Sequence, residues 1–156
     1  MAATPTPLLR HGFRPFFLAG ALQAATVVAL WVPAYLGLAG TPGALPPVAW
    51  HSHELLFGYV PAVIAGFLLT AVANWTGRPP VAGALLGALV GAWLLGRVAI
   101  TASAALPPAT VAAASLAFPL GLLAVVTREV VAGRSWRNLK VLGALALLAA
   151  AQAGFH

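Results

Sequence analysis

Five apolar runs fill most of this chain, at about 16–40, 54–75, 81–106, 109–131 and 139–156. Each approaches or exceeds the roughly 20 residues a helix needs to cross the hydrocarbon of a bilayer. Backbone in lipid must satisfy its own N–H and C=O groups, which leaves helices as the structure for runs of this length. The gaps carry helix-stopping chemistry: Thr41-Pro42-Gly43 with Pro46-Pro47, Gly77-Arg78-Pro79-Pro80, Pro107-Pro108, and the polar stretch from Gly133 to Arg137. The expected fold is all-α, a polytopic membrane helix bundle of about five transmembrane helices in one domain over residues 1–156. Only 6% of the residues are charged, against about 25% in a soluble domain. The run after Arg10 and Arg14 is longer than the roughly 7–15 apolar residues of a signal peptide, so it reads as a retained helix.

The formal charge of +6 suggests nucleic acid until the basic residues are placed. Arg10 and Arg14 precede the first run, and Arg78 lies between the second and third. Arg128, Arg134, Arg137 and Lys140 surround the link between the fourth and fifth. All of these fall on one side of a five-span topology, and the opposite loops carry no Lys or Arg. This positive-inside pattern sets the N-terminus in the cytoplasm. It names the lipid bilayer as partner and leaves no phosphate-binding stripe for nucleic acid. Trp50 at one interface, and Trp75 and Trp136 at the other, read as aromatic anchors.

Against this background the stretch WHSHELLFGY, residues 50–59, stands out. His51, His53 and Glu54 open the second run at its outer end, and His156 closes the fifth at the same depth. Arg97 lies a few turns deeper in the third. There is no cysteine, so thiolate metal sites and disulfides are excluded, and any metal falls to histidine, carboxylate, Met1 or backbone. Neutral imidazole is a common metal ligand and an axial ligand of haem iron; Glu54 is placed to orient one as an acceptor. An interfacial histidine also serves as a solvated side chain or a helix-end cap.

Spacing leaves two arrangements open. If Pro46-Pro47 start the helix early, His51 and His53 point about 200° apart and cannot share one metal. In that case His51 and Glu54 share the side that bears Gly58 and Ala62, which faces protein. If Ser52 is the N-cap, His51 stays outside the helix. Arg97 is costly in lipid; it either pairs with Glu54, holds an anionic group such as a haem propionate, or snorkels outward. His11 and Glu129 read as solvated, Glu129 as an ion-pair partner beside Arg128. Pro61 is expected to bend the second run. Two small-residue stripes, Gly58/Ala62/Gly66/Thr70 and Gly83/Gly87/Gly91, are expected to let helices approach closely. No phosphate loop, dinucleotide fingerprint or HExxH is present, and without aspartate an Asp-assisted triad is impossible.

The blocks GFRPFFLAG (12–20) and HSHELLFGYVPAVIAGFLLTAVANWTGRPP (51–80) resemble signatures of the NnrS family. WLLGRVA (93–99), AFPLGLLAVVTREVVAGRSWRNLK (117–140) and AQAGFH (151–156) follow in the family's order. The resemblance implies a multi-pass protein of the bacterial inner (cytoplasmic) membrane that binds haem, copper or both, and acts in nitric oxide metabolism or nitrosative-stress tolerance. By position, His51, His53 and Glu54 match the family's His/Glu motif, Arg97 its span-three arginine and His156 its span-five histidine. All five are candidate cofactor-binding residues, with His51, His53 and His156 the candidate metal ligands. Members are typically more than twice as long, so the chain corresponds to the N-terminal part of a longer family. Further ligands would then come from a homo-oligomer or from a partner chain supplying missing spans. The competing readings are a small membrane transporter or metal permease, and a cofactor-free partial scaffold.

Overall fold

A computed structural model describes residues 6–156; Met1 lies outside the described residues. Five helices carry the chain: α1 (Phe13–Tyr35), α2 (Pro47–Thr76), α3 (Gly83–Thr101), α4 (Pro108–Ala132) and α5 (Leu139–Phe155). Short 3-10 turns precede α1 (Pro7–Arg10) and α5 (Trp136–Asn138). No strand occurs among the described residues. Each helix, with the turn Trp136–Asn138 counted into the last, is long and apolar enough to cross a membrane.

Helix ends correct the expected boundaries. The first helix stops at Tyr35 rather than near residue 40. The Gly37 N–H bonds the Ala34 carbonyl at 3.2 Å and the Leu38 N–H bonds that of Pro33 at 2.9 Å. This is a Schellman cap, with Gly37 supplying the left-handed turn at φ +73°. The second helix begins seven residues early, at Pro47, after an extended Pro46. That settles the choice left by spacing: both histidines are helical and Ser52 is not the cap. The third ends at Thr101, and turns fill the stretch to Pro107.

Pro61 is accommodated by a change of helix type. Proline cannot donate to the carbonyl four residues back, and its ring crowds that group. The preceding segment Glu54–Tyr59 widens to a π-helix, in which the Val60 N–H reaches the Leu55 carbonyl. Within this segment the Gly58 carbonyl accepts from Trp93 Nε1 of α3 at 2.9 Å.

Lipid tails are as apolar as leucine, so hydrophobicity does not draw these helices together; close packing and polar links do. The most extensive pairing is α3 with α4, followed by α1 with the later part of α2. Phe16, Leu69, Leu86, Trp93, Phe118 and Leu122 centre the larger core. A smaller one gathers Val27, Trp50, Ile100 and Val111 at the other end. Trp50 is therefore a core residue, 3% exposed, and not the interfacial anchor expected of it, because helical phase turns it inward. Trp75 and Trp136 are exposed as anchors should be. Leu18, Leu22, Phe67, Leu94, Leu120 and Leu147 face outward, toward lipid.

The two small-residue stripes have different fates. A Cβ on Gly66 would meet the Phe17 ring of α1 at 2.6 Å, so the first stripe is a packing seam. The second is not. Gly87 meets only Leu9, and Gly91 faces open space. The close approach of α3 to α4 falls on Gly96, where a Cβ would stand 3.3 Å from the Ser115 Cα. Gly96→Leu is thus expected to cost about 1–3 kcal/mol by overpacking, and Gly91→Leu less than about 0.5 kcal/mol as an outward-facing change. Unfolding of both variants in mixed micelles measures the difference; equal costs would mean that α3 and α4 are not in register at Gly96.

Candidate functional site

The outer end of α2 presents one buried stripe. Counting from Trp50 by three, four and seven residues gives His53, Glu54 and Phe57, all buried. His51 lies off that stripe and is half-buried. It is therefore His53, and not His51, that shares the protein-facing side with Glu54 and Gly58. His51 stacks on Trp31 of α1, with ring centroids 4.1 Å apart and planes 22° from parallel.

Glu54 is the hub. Its Oε1 accepts from Arg97 Nη1 of α3 at 2.7 Å, and stands 3.2 Å from His53 Nδ1. Its Oε2 accepts from the Gln23 amide of α1. The Glu54 and Arg97 side chains are 4% and 10% exposed, so Arg97 pairs inside the bundle and does not snorkel. Gln23, absent from the candidates above, carries only a faint sequence signal: a lone amide in an otherwise greasy helix, which must find a partner or face lipid.

This hub fixes the chemistry of His53. Arginine remains cationic in proteins, and a carboxylate oxygen that accepts from it selects the His53 tautomer with the proton on Nδ1. The Nε2 lone pair is then free, and Nε2 is buried with no hydrogen-bond partner. Around this ring stand Phe57, Phe155 and His156, with centroids at 5.4, 5.0 and 5.3 Å. His156 lies just past the end of α5, and burial first, then the neighbouring His53 and Arg97, lower its pKa. Neutral imidazole, the ligand form, is favoured there.

The structure thus brings together His53, Glu54, Arg97 and His156, with Gln23 added, and leaves His51 on Trp31. Among the described residues no three His or acidic side chains converge to hold a metal ion. What fits a metal is an oriented imidazole with an orphaned Nε2 and a second imidazole edge-on to it. The cavity beside His156, lined also by Ile100, Ser103, Val111 and Phe155, is about 180 Å³. A haem macrocycle at His53 requires the Phe155–His156 end of α5 to swing aside.

The opposite end holds a second ion cluster, away from His51, His53 and His156. Glu129 is 3% exposed rather than solvated. Arg78 Nε reaches it at 2.6 Å from the α2–α3 link, covering the side that Arg128 leaves open. His11, half-buried and stacked on Phe13, lies before α1.

A family model described as NnrS protein matches residues 7–156. No curated protein and no solved structure gives a significant match.

Proposed function

The chain belongs to the NnrS family, and on that premise we propose that it is a nitric oxide response protein of the bacterial inner membrane that binds copper or haem through His53. The observation that carries this reading is the buried, unpartnered Nε2 of His53, with Nδ1 turned to Glu54. A metal-bound histidine commonly gives its other ring nitrogen to a carboxylate, which sets the tautomer and raises ligand basicity. Here the carboxylate is itself held by Arg97 and Gln23, so the imidazole is aimed before any ligand arrives. His156 is the second donor. His53 and His156 are the two imidazoles that meet among the described residues.

If haem is the group bound, His53 and His156 are the residues that would hold it, and its iron would supply nitric oxide binding or electron transfer. The chain's own residues orient the donor, keep water from it with Phe57 and Phe155, and balance the charge of Glu54 with Arg97. The positive-inside charge pattern supports an orientation with this end of the bundle on the periplasmic face and the N-terminus in the cytoplasm.

The test is the visible spectrum of the purified protein, oxidised and reduced, with metal analysis of the same sample. Stoichiometric copper or a haem Soret band is expected. A colourless, copper-free protein, even after haem and copper are supplied during expression, would overturn the proposal.

A further inference from the structure

Two cavities share a wall at Trp75, away from His51, His53 and His156. One is an apolar crevice of about 570 Å³ between α2 and α5, lined by Ile64, Phe67, Trp75, Ala144, Leu145 and Leu148 among others. The other, about 560 Å³, is a cradle at the α4–α5 link, walled by Trp75, Arg134, Trp136 and Arg137. Trp75 lines both, so the greasy crevice and the basic cradle lie side by side.

The charges of the cradle are uncommitted. Arg78 and Arg128 are spent on Glu129. Neither Arg134 nor Arg137 has an ion-pair partner among the described residues, and both side chains are exposed. The position of Arg134 is itself unusual. The α4 terminus is a Schellman cap, with the Arg134 N–H on the Val131 carbonyl at 3.1 Å and the Ser135 N–H on that of Val130 at 2.9 Å. Arg134 occupies the left-handed position at φ +51°, where glycine is the favoured residue. The backbone thus carries a cation where a glycine would hold the turn with less strain.

We propose that the crevice and cradle together bind an anionic phospholipid, with an acyl chain along α2 and α5 and the phosphate between Arg134 and Arg137. Guanidinium groups match phosphate oxygens in geometry and charge. Tryptophans belong at headgroup depth, and basic pockets between membrane helices recognise anionic headgroups. A free phosphate leaves the crevice empty, and a zwitterionic lipid brings no net charge to two unpaired arginines. Only an anionic lipid matches both halves.

The test titrates delipidated protein in neutral detergent with phosphatidylglycerol, with phosphatidylcholine of the same chains, and with inorganic phosphate, read by native mass spectrometry. Phosphatidylglycerol is expected to bind at least about tenfold tighter than phosphatidylcholine, each basic residue near the charged headgroup contributing about fivefold. Arg134→Gly with Arg137→Gln should weaken it by about thirtyfold and erase the preference. Ala144→Trp, which fills the crevice from an outward-facing position, should weaken both lipids. Arg134→Gly suits the turn, so the melting temperature of the double variant should stay at or above that of the parent; if it falls, Arg137→Gln alone, at about fivefold, carries the test. Equal affinity for the two lipids, unchanged affinity in the arginine variants, or inorganic phosphate competing at equal concentration would overturn the proposal.

Discussion

Glu54→Ala should lower the stability of the bundle by about 3–5 kcal/mol, the range expected when one partner of a buried ion pair is removed. The guanidinium of Arg97, 10% exposed, would be left in the interior without its carboxylate, and it cannot shed its proton to escape the cost. The Gln23 amide and His53 Nδ1 would lose their acceptor at the same time. Neutral helix–helix links in membranes are weaker, at about 0.6 kcal/mol on average, so the Trp93–Gly58 bond cannot conceal such a loss. Charge makes a second, sharper expectation. Glu54→Leu combined with Arg97→Leu removes both ions and should recover much of the deficit, since an apolar pair often matches a buried ionic one. About 1–3 kcal/mol should persist for each buried polar group still unpaired, and adding Gln23→Leu should return part of it. Unfolding of the parent and the three variants in mixed micelles gives the cycle. A cost below about 1 kcal/mol for Glu54→Ala would mean that water reaches the pair and that Arg97 is not committed to it.

That charge pair also shows how far the sequence could be read. Two opposite charges in a chain this greasy must either find one another or find solvent, so pairing of Glu54 with Arg97 was among the open options. Gln23 joins them from α1, and nothing in a single neutral amide announces its direction. The spans were legible because hydropathy reports contact with lipid. Their ends were less so, because hydropathy does not report helix. The polar residues from Trp50 to Glu54 hide a helix that starts at Pro47, and the apolar residues from Leu36 to Gly40 extend a run past a helix that Gly37 has closed. Phase is the other blind spot. Trp50 and Trp75 look alike as span-end tryptophans, yet one fills the core and the other faces outward. The Gly83/Gly87/Gly91 stripe has the right spacing on the wrong face, whereas Gly96 makes the contact. Sequence proximity pairs Glu129 with Arg128, its neighbour; Arg78, 51 residues away, is brought to it only by the folded bundle.

Phase likewise separates the two histidines, and the last expected result follows from it. His53→Ala should abolish copper or haem binding: His51 Nδ1 and His53 Nε2 are both buried without a hydrogen-bond partner, but only the His53 ring is oriented by Glu54. His51→Ala should leave the ligand content close to that of the parent, since that ring is stacked on Trp31. Glu54→Gln divides the roles of the carboxylate. It keeps the shape of the side chain but removes the anion, so the His53 tautomer is no longer fixed and Arg97 loses its counter-charge. Loss of an outer-shell partner of this kind costs about 10–100-fold in metal affinity. The expected order of affinity is therefore parent and His51→Ala, then Glu54→Gln, then His53→Ala with none. Metal titration and the visible spectrum of each variant read this order, and their melting curves separate a lost ligand from a lost fold. If His51→Ala strips the ligand while His53→Ala retains it, the donor lies on the Trp31 side of α2, and the Glu54–Arg97–Gln23 hub serves helix packing alone.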